Sequence, residues 1–136
     1  MNDIINSKSI YSNASLAVYL LIQQTIKMYI YNVTINIDES AHQEWLSWIQ
    51  GHIQDVLATG KFVSAKLTQV LVEEEMGGAT YSVQYTTASR ENLDEYYKID
   101  APKLQGNGVK KFADKMVAFR TELKVVKEFY PISIHN

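Results

Sequence analysis

Cysteine is absent from the 136 residues. That removes thiol nucleophiles, disulfides, thiolate zinc sites and iron–sulfur clusters together. No apolar run approaches the roughly 20 residues that a membrane-spanning helix needs. Basic residues are not in excess: the net charge is -2 and the isoelectric point is about 5.9. This balance argues against general nucleic-acid binding, which needs a clustered basic surface, and against an anionic membrane surface. Histidine occurs three times. None of His42, His52 and His135 has a second ligand at metal-binding spacing, so no metal site is expected.

What is present is a hydrophobic fraction of 46%, high enough for a real core. The length fits one soluble α/β domain, expected over residues 28–127, with 128–136 as a tail. Residues 1–27 differ in character. Asn2 to Ser15 is rich in Asn, Ile, Ser and Tyr without an amphipathic period, and a short apolar run from Leu16 to Ile22 follows. Three readings stand: a translated upstream region with Met28 as the true start, a signal peptide lacking an A-x-A-like cleavage site, or an appended helix covering an apolar patch.

Tyr29 to Ile37 alternates apolar and polar residues, which predicts a strand. Ser40 and Gln43 have capping-box spacing, and Asp38 and Glu39 suit a helix N-terminus. Trp45, Trp48, Ile49, His52, Ile53 and Val56 then recur at helical spacing, up to a left-handed cap at Gly60. Phe62 to Glu75 is predicted as a long second strand, apolar on both faces. Gly77-Gly78 supplies a hairpin, and Ala79 to Thr87 is the third strand. Ser89 caps a second helical region, which Pro102 and Gly106-Asn107-Gly108 are expected to kink or break. Val117 to Val126 is predicted as the last strand, with Val117, Phe119, Leu123 and Val125 inward and Arg120, Glu122 and Lys124 outward.

The order β-α-β-β-α-β is that of the ferredoxin-like fold, an α+β antiparallel sheet with two helices on one face. The other sheet face carries Asn32, Thr34 and Asn36, then Thr80, Ser82, Gln84 and Thr86, and on the last strand Arg120 and Glu122. It reads either as a solvated face or as a polar cavity roofed by a second subunit. The apolar outer row of the long second strand would suit such a partner. Arg120 could hold a carboxylate, phosphate or carbonyl ligand. RNA-recognition modules share this topology but stack bases on aromatics of the central strands. Here those positions are Asn32, Thr34, Ser82 and Gln84, so nucleic acid is not an expected partner. His52, Trp45 and Trp48 read as packing residues on the first helix. Glu73-Glu74-Glu75 reads as a charged hairpin end.

Several blocks carry a family resemblance. They are residues 28–38 (Met28-Tyr29-Ile30-Tyr31-Asn32 onward), Gly60-Lys61-Phe62, Glu73-Glu74-Glu75-Met76-Gly77-Gly78, Asp100-Ala101-Pro102-Lys103-Leu104 and Phe119-Arg120-Thr121-Glu122-Leu123. Together they resemble a small bacterial family known as domain of unknown function 4286, from Met28 to about Val126. The resemblance implies kinship with the dimeric α+β barrel superfamily, in which two such sheets pack face to face around a cavity. Some small monooxygenases of that superfamily need no cofactor, and others bind haem through a histidine on the second helix. This second helix has none, so no cofactor is expected.

The expectation is a cytoplasmic homodimer of bacterial type. It would bind a small polar ligand in an intersubunit cavity lined by Asn32, Thr34, Gln84, Arg120 and Glu122. The alternatives are a cofactor-independent oxygenase or isomerase with Glu122 as base, or a non-catalytic interaction module.

Overall fold

The structure is a computed structural model and describes residues 15–18, 27–75 and 77–132. Residues 15–18 form one helical turn in which Leu16 and Val18 are exposed. The readings of residues 1–27 otherwise lie outside the described residues.

Four strands form one antiparallel sheet: β1 (Tyr29–Ile37), β2 (Ser64–Val70), β3 (Ala79–Thr87) and β4 (Met116–Lys124), in the order β2-β3-β1-β4. One face is covered by α1 (His42–Leu57), α2 (Arg90–Glu95) and α3 (Ala101–Phe112), with a π-helical turn, Tyr96–Asp100, between α2 and α3. This is the ferredoxin-like arrangement of an antiparallel sheet with helices on one face.

Alternation explains the core. Tyr31, Val33, Ile35 and Ile37 are buried, and directly opposite them Tyr85, Val83, Tyr81 and Ala79 are buried as well. Opposed residues of an antiparallel pair point to the same side, so these two rows form one apolar floor. Trp45, Ile49, Ile53 and Val56 of α1 close it from above. Each such side chain contributes roughly 1.5–3 kcal/mol by leaving water.

The turns follow their residues. Gly60 caps the exit of α1 with φ +77°. Gly78 has φ +83°, and a Cβ there would collide with the Ile37 carbonyl oxygen. A 3-10 turn, Glu39–Ala41, leads into α1, and Asp38 caps that turn, its carboxylate accepting from the Ser40 backbone N–H at 2.9 Å. The expected cap at Ser40 is thus displaced by two residues. Ser89 caps α2 as expected, with its Oγ accepting from Asn92 N–H at 3.0 Å.

Three expectations are corrected. The second strand is shorter than 62–75: beyond the Val70–Thr80 pair, β3 has only Ala79 left to offer, so residues 71–75 lack a ladder partner. Phe62 turns into the core instead, and Leu71 is 91% exposed. Gly106-Asn107-Gly108 does not break the second helical region, because α3 runs through it to Phe112. Gly108 is buried against Trp48, where a Cβ would stand 3.1 Å from the indole Cη2. Close helix packing therefore offsets the low helix propensity of glycine.

The third correction matters most. The faces of β4 are the reverse of those expected. Asp38 N–H donates to the Lys115 carbonyl at 2.8 Å and sets Met116 opposite Ile37. Ala118 then opposes Ile35, Arg120 opposes Val33 and Glu122 opposes Tyr31, all on the helix side. Val117, Phe119 and Leu123 fall on the open face and are 52%, 65% and 43% exposed.

Candidate functional site

Reversal of β4 carries a guanidinium to the helix side of the sheet. Tyr31 lies almost wholly buried at the centre of β1. Its phenol oxygen accepts from Arg120 Nε at 3.0 Å and from Gln105 Nε2 of α3 at 3.2 Å. A phenol oxygen has two lone pairs and one hydrogen. Both lone pairs are occupied by N–H donors, so the hydroxyl hydrogen is left to seek an acceptor. Burial pushes the Tyr31 phenol above its ordinary range, with Arg120 opposing that shift. The group therefore stays a donor at neutral pH.

Tyr31, Gln105 and Arg120 border a cleft of about 40 Å³ where β4, α1 and α3 meet. Its lining combines the buried Val33, Ile35, Ile49 and Val83 with the half-buried Leu104, Met116, Ala118 and Trp48. His52 of α1 stacks on Trp48 with ring centroids 4.6 Å apart and lines the same cleft. Burial holds its imidazole below the usual histidine range, Asp55 opposes this and Arg120 adds to it. A neutral imidazole, a phenol donor and a guanidinium thus share one opening. Tyr85 and Tyr96 also reach the cleft, and burial raises both phenols.

Arg120 has no ion-pair partner among the described residues. The nearby carboxylate of Glu122 is engaged elsewhere: Arg90 donates to it at 2.7 Å and the Tyr97 hydroxyl at 3.0 Å. No aspartate or glutamate lines the cleft. Its mouth therefore presents hydrogen-bond donors and positive charge, fitted to an acceptor group.

The five residues expected to line one cavity are not brought together. Asn32, Thr34 and Gln84 stand on the open face, while Arg120 and Glu122 stand on the helix face. On the open face, Asn32 Nδ2 donates to Thr34 Oγ1 at 3.1 Å, and Ser82 Oγ donates to Asn32 Oδ1. Asn36 Nδ2 donates to Thr80 Oγ1 at 3.1 Å, and Thr80 in turn donates to Glu74 at 2.6 Å. The polar rows are thus tied into a seam beside the apolar row of β4.

Tyr31 and Gln105 were not among the expected site residues, and His52 was read as packing. One signal was available for Tyr31: a buried tyrosine hydroxyl needs a partner. Among the described residues no group of His, Asp and Glu could hold a metal ion, and no helix is long and apolar enough to cross a membrane.

Comparison with known proteins agrees with the fold. A family described as "Domain of unknown function (DUF4286)" matches residues 28–126. Comparison with curated proteins finds no match. A dimeric ferredoxin-like protein from an uncultured marine organism is 8% identical, with a TM-score of 0.59 over 76% of this chain and 99% of that one. A conserved protein of unknown function from Bacteroides thetaiotaomicron is 10% identical, with a TM-score of 0.57 over 74% of this chain and 100% of that one. SnoaB, a cofactor-independent oxygenase from Streptomyces nogalater, is 9% identical, with a TM-score of 0.54 over 74% of this chain and 95% of that one.

Proposed function

The chain belongs to the DUF4286 family, and from that premise we propose that it is a small-molecule-binding homodimer with one ligand per protomer in the cleft at Tyr31, Gln105 and Arg120. The observation that carries the ligand site is the unspent donor set at its mouth. The Tyr31 hydroxyl hydrogen has no acceptor left on its own bonding partners, and Arg120 has no ion-pair partner among the described residues.

The homodimer reading rests on the open face. Asn32, Thr34, Asn36, Thr80 and Ser82 are hydrogen-bonded to one another or to Glu74, which lowers the desolvation cost of covering them with a second sheet. Val117, Phe119 and Leu123 beside them expose apolar surface that a partner would bury. In this reading Asn32, Thr34 and Gln84 belong to the interface and not to the ligand site. The relative described as dimeric has the same fold, which supports the pairing.

An enzyme of the cofactor-independent oxygenase or isomerase kind is not favoured, because Glu122, its expected base, is held by Arg90 and Tyr97. The acidic net charge supports a partner other than nucleic acid. A cytoplasmic setting in a bacterium belongs to the same proposal.

Native mass spectrometry of the gently purified full chain tests both halves. The expected result is a dimer that retains one small-molecule mass per protomer. A monomer would overturn the pairing. A bare dimer, together with a fragment screen that moves no amide resonance around Tyr31 and Gln105, would overturn the ligand site and leave an interaction module.

A further inference from the structure

We infer that the cleft takes a short-chain monocarboxylate, with the carboxylate at the mouth on Arg120 and the Tyr31 hydroxyl and the alkyl end inside. This inference deepens the proposed function and rests on the cleft being the ligand site. Three observations select the class. The first is charge. Arg120 is a fixed cation whose neighbouring carboxylate, Glu122, is tied to Arg90 and Tyr97, and the cleft lining carries no acid. A guanidinium left without an anion beside an apolar cleft favours a carboxylate over a neutral carbonyl, because a hydrogen bond to an ionised acceptor is roughly twice as strong.

The second is donor geometry. Arg120 spends Nε on Tyr31, which leaves its two terminal nitrogens available. The Tyr31 hydroxyl adds one more donor beside them. Two planar guanidinium donors and a phenol donor match the two oxygens of one carboxylate. A second anionic group would find no further cation in the lining, since His52 is held towards its neutral form.

The third is size. The cleft is partly open and offers about 40 Å³, whereas a cavity of about 150 Å³ takes a benzene. An alkyl end of about two carbons therefore fits against the apolar lining, and the space is too small to take up a whole aromatic ring.

The test is amide-resolved NMR titration of the full-length protein with propionate, propionamide and benzoate at constant ionic strength. Propionate is expected to move the resonances of Tyr31, Gln105 and Arg120 saturably and to bind about tenfold or more tightly than propionamide. Arg120→Gln is expected to weaken propionate about tenfold and leave propionamide unchanged. Tyr31→Phe should weaken propionate less, because the guanidinium remains. Lys110→Gln, an exposed cation outside the cleft, should leave both unchanged. Equal binding of propionamide, or an unchanged affinity in Arg120→Gln, would overturn the carboxylate class while leaving the cleft as the site. Tighter benzoate than propionate would overturn the short-chain limit. If none of the three compounds nor a wider fragment set moves cleft resonances, the ligand site itself falls.

Discussion

Replacing Phe119 by aspartate is the sharpest perturbation of the open face. Phe119 lies opposite Thr34 on that face and is 65% exposed. A phenylalanine can bury about 200 Å², so about 130 Å² remains for a partner to cover, worth about 3 kcal/mol at ~25 cal/mol per Å². A twofold interface contains the residue twice, so full coverage loses about 6 kcal/mol, a weakening of about ten-thousandfold in the dimer constant. The introduced carboxylates add a desolvation cost in the same direction. The isolated protomer should hardly notice, since an exposed strand position costs about 0.5 kcal/mol or less. Sedimentation equilibrium reads the dimer constant, and thermal unfolding at a concentration where both proteins are monomeric reads the protomer. An unchanged dimer constant would refute the open face as the interface. A collapse of protomer stability would refute the placement of Phe119 outside the core.

Gly108→Ala gains about 1 kcal/mol of helix propensity but sets its Cβ 3.1 Å from Trp48. Trp48 packs on His52 and Phe112, and shifting it by a few tenths of an ångström loosens both contacts, so a net loss of about 1 kcal/mol in chemical denaturation is expected; a stabilised variant would refute close packing there. Burial lowers the His52 pKa in the folded protein, so below its ordinary 6.5 the unfolded chain binds more protons. Stability should therefore rise with pH through that window, and His52→Gln should flatten the denaturation-against-pH curve; an unaltered slope in the variant would refute the assignment. Tyr31→Phe keeps the ring and removes the acceptor of two hydrogen bonds. A loss of about 1 kcal/mol is expected by thermal denaturation, because Arg120 at the mouth can turn to water; no loss would mean that those bonds contribute nothing net.

The two central strands were legible because one of their faces is wholly core and the other polar, which is the condition under which alternation reports direction. β4 met neither condition. Its apolar residues, Val117, Phe119 and Leu123, face away from the helices, and its inward row is Met116, Ala118 and Arg120. Alternation gives the period of a strand but not its sign, and a one-residue shift inverts every side chain. The information that set the sign lay in a backbone hydrogen bond from Asp38 to Lys115, which no side-chain pattern announces. The same error split the expected site, since Arg120 was assigned by its polarity to the polar face. α3 was misjudged for a related reason: glycine propensity is local, whereas the contact of Gly108 with Trp48 is tertiary.

These departures share one physical meaning. A strand that turns its apolar row to water and its arginine toward the helix layer breaks the local rule twice, and a stable fold tolerates this only where something else is gained. In the proposed homodimer the outward row gains a partner sheet, and the hydrogen bonds already made among Asn32, Thr34, Asn36, Thr80 and Ser82 lower the cost of covering the row beside it. The arginine gains a hydrogen bond to Tyr31 and makes no ion pair among the described residues, so in the proposed reading its terminal nitrogens are available to an anionic ligand. The proposed function thus gives the two sides of β4 separate tasks, pairing through the open face and binding from the helix face. Because Phe119 and Arg120 are successive residues on opposite sides of one strand, Phe119→Asp should weaken pairing and spare ligand binding, and Arg120→Gln should weaken ligand binding and spare pairing.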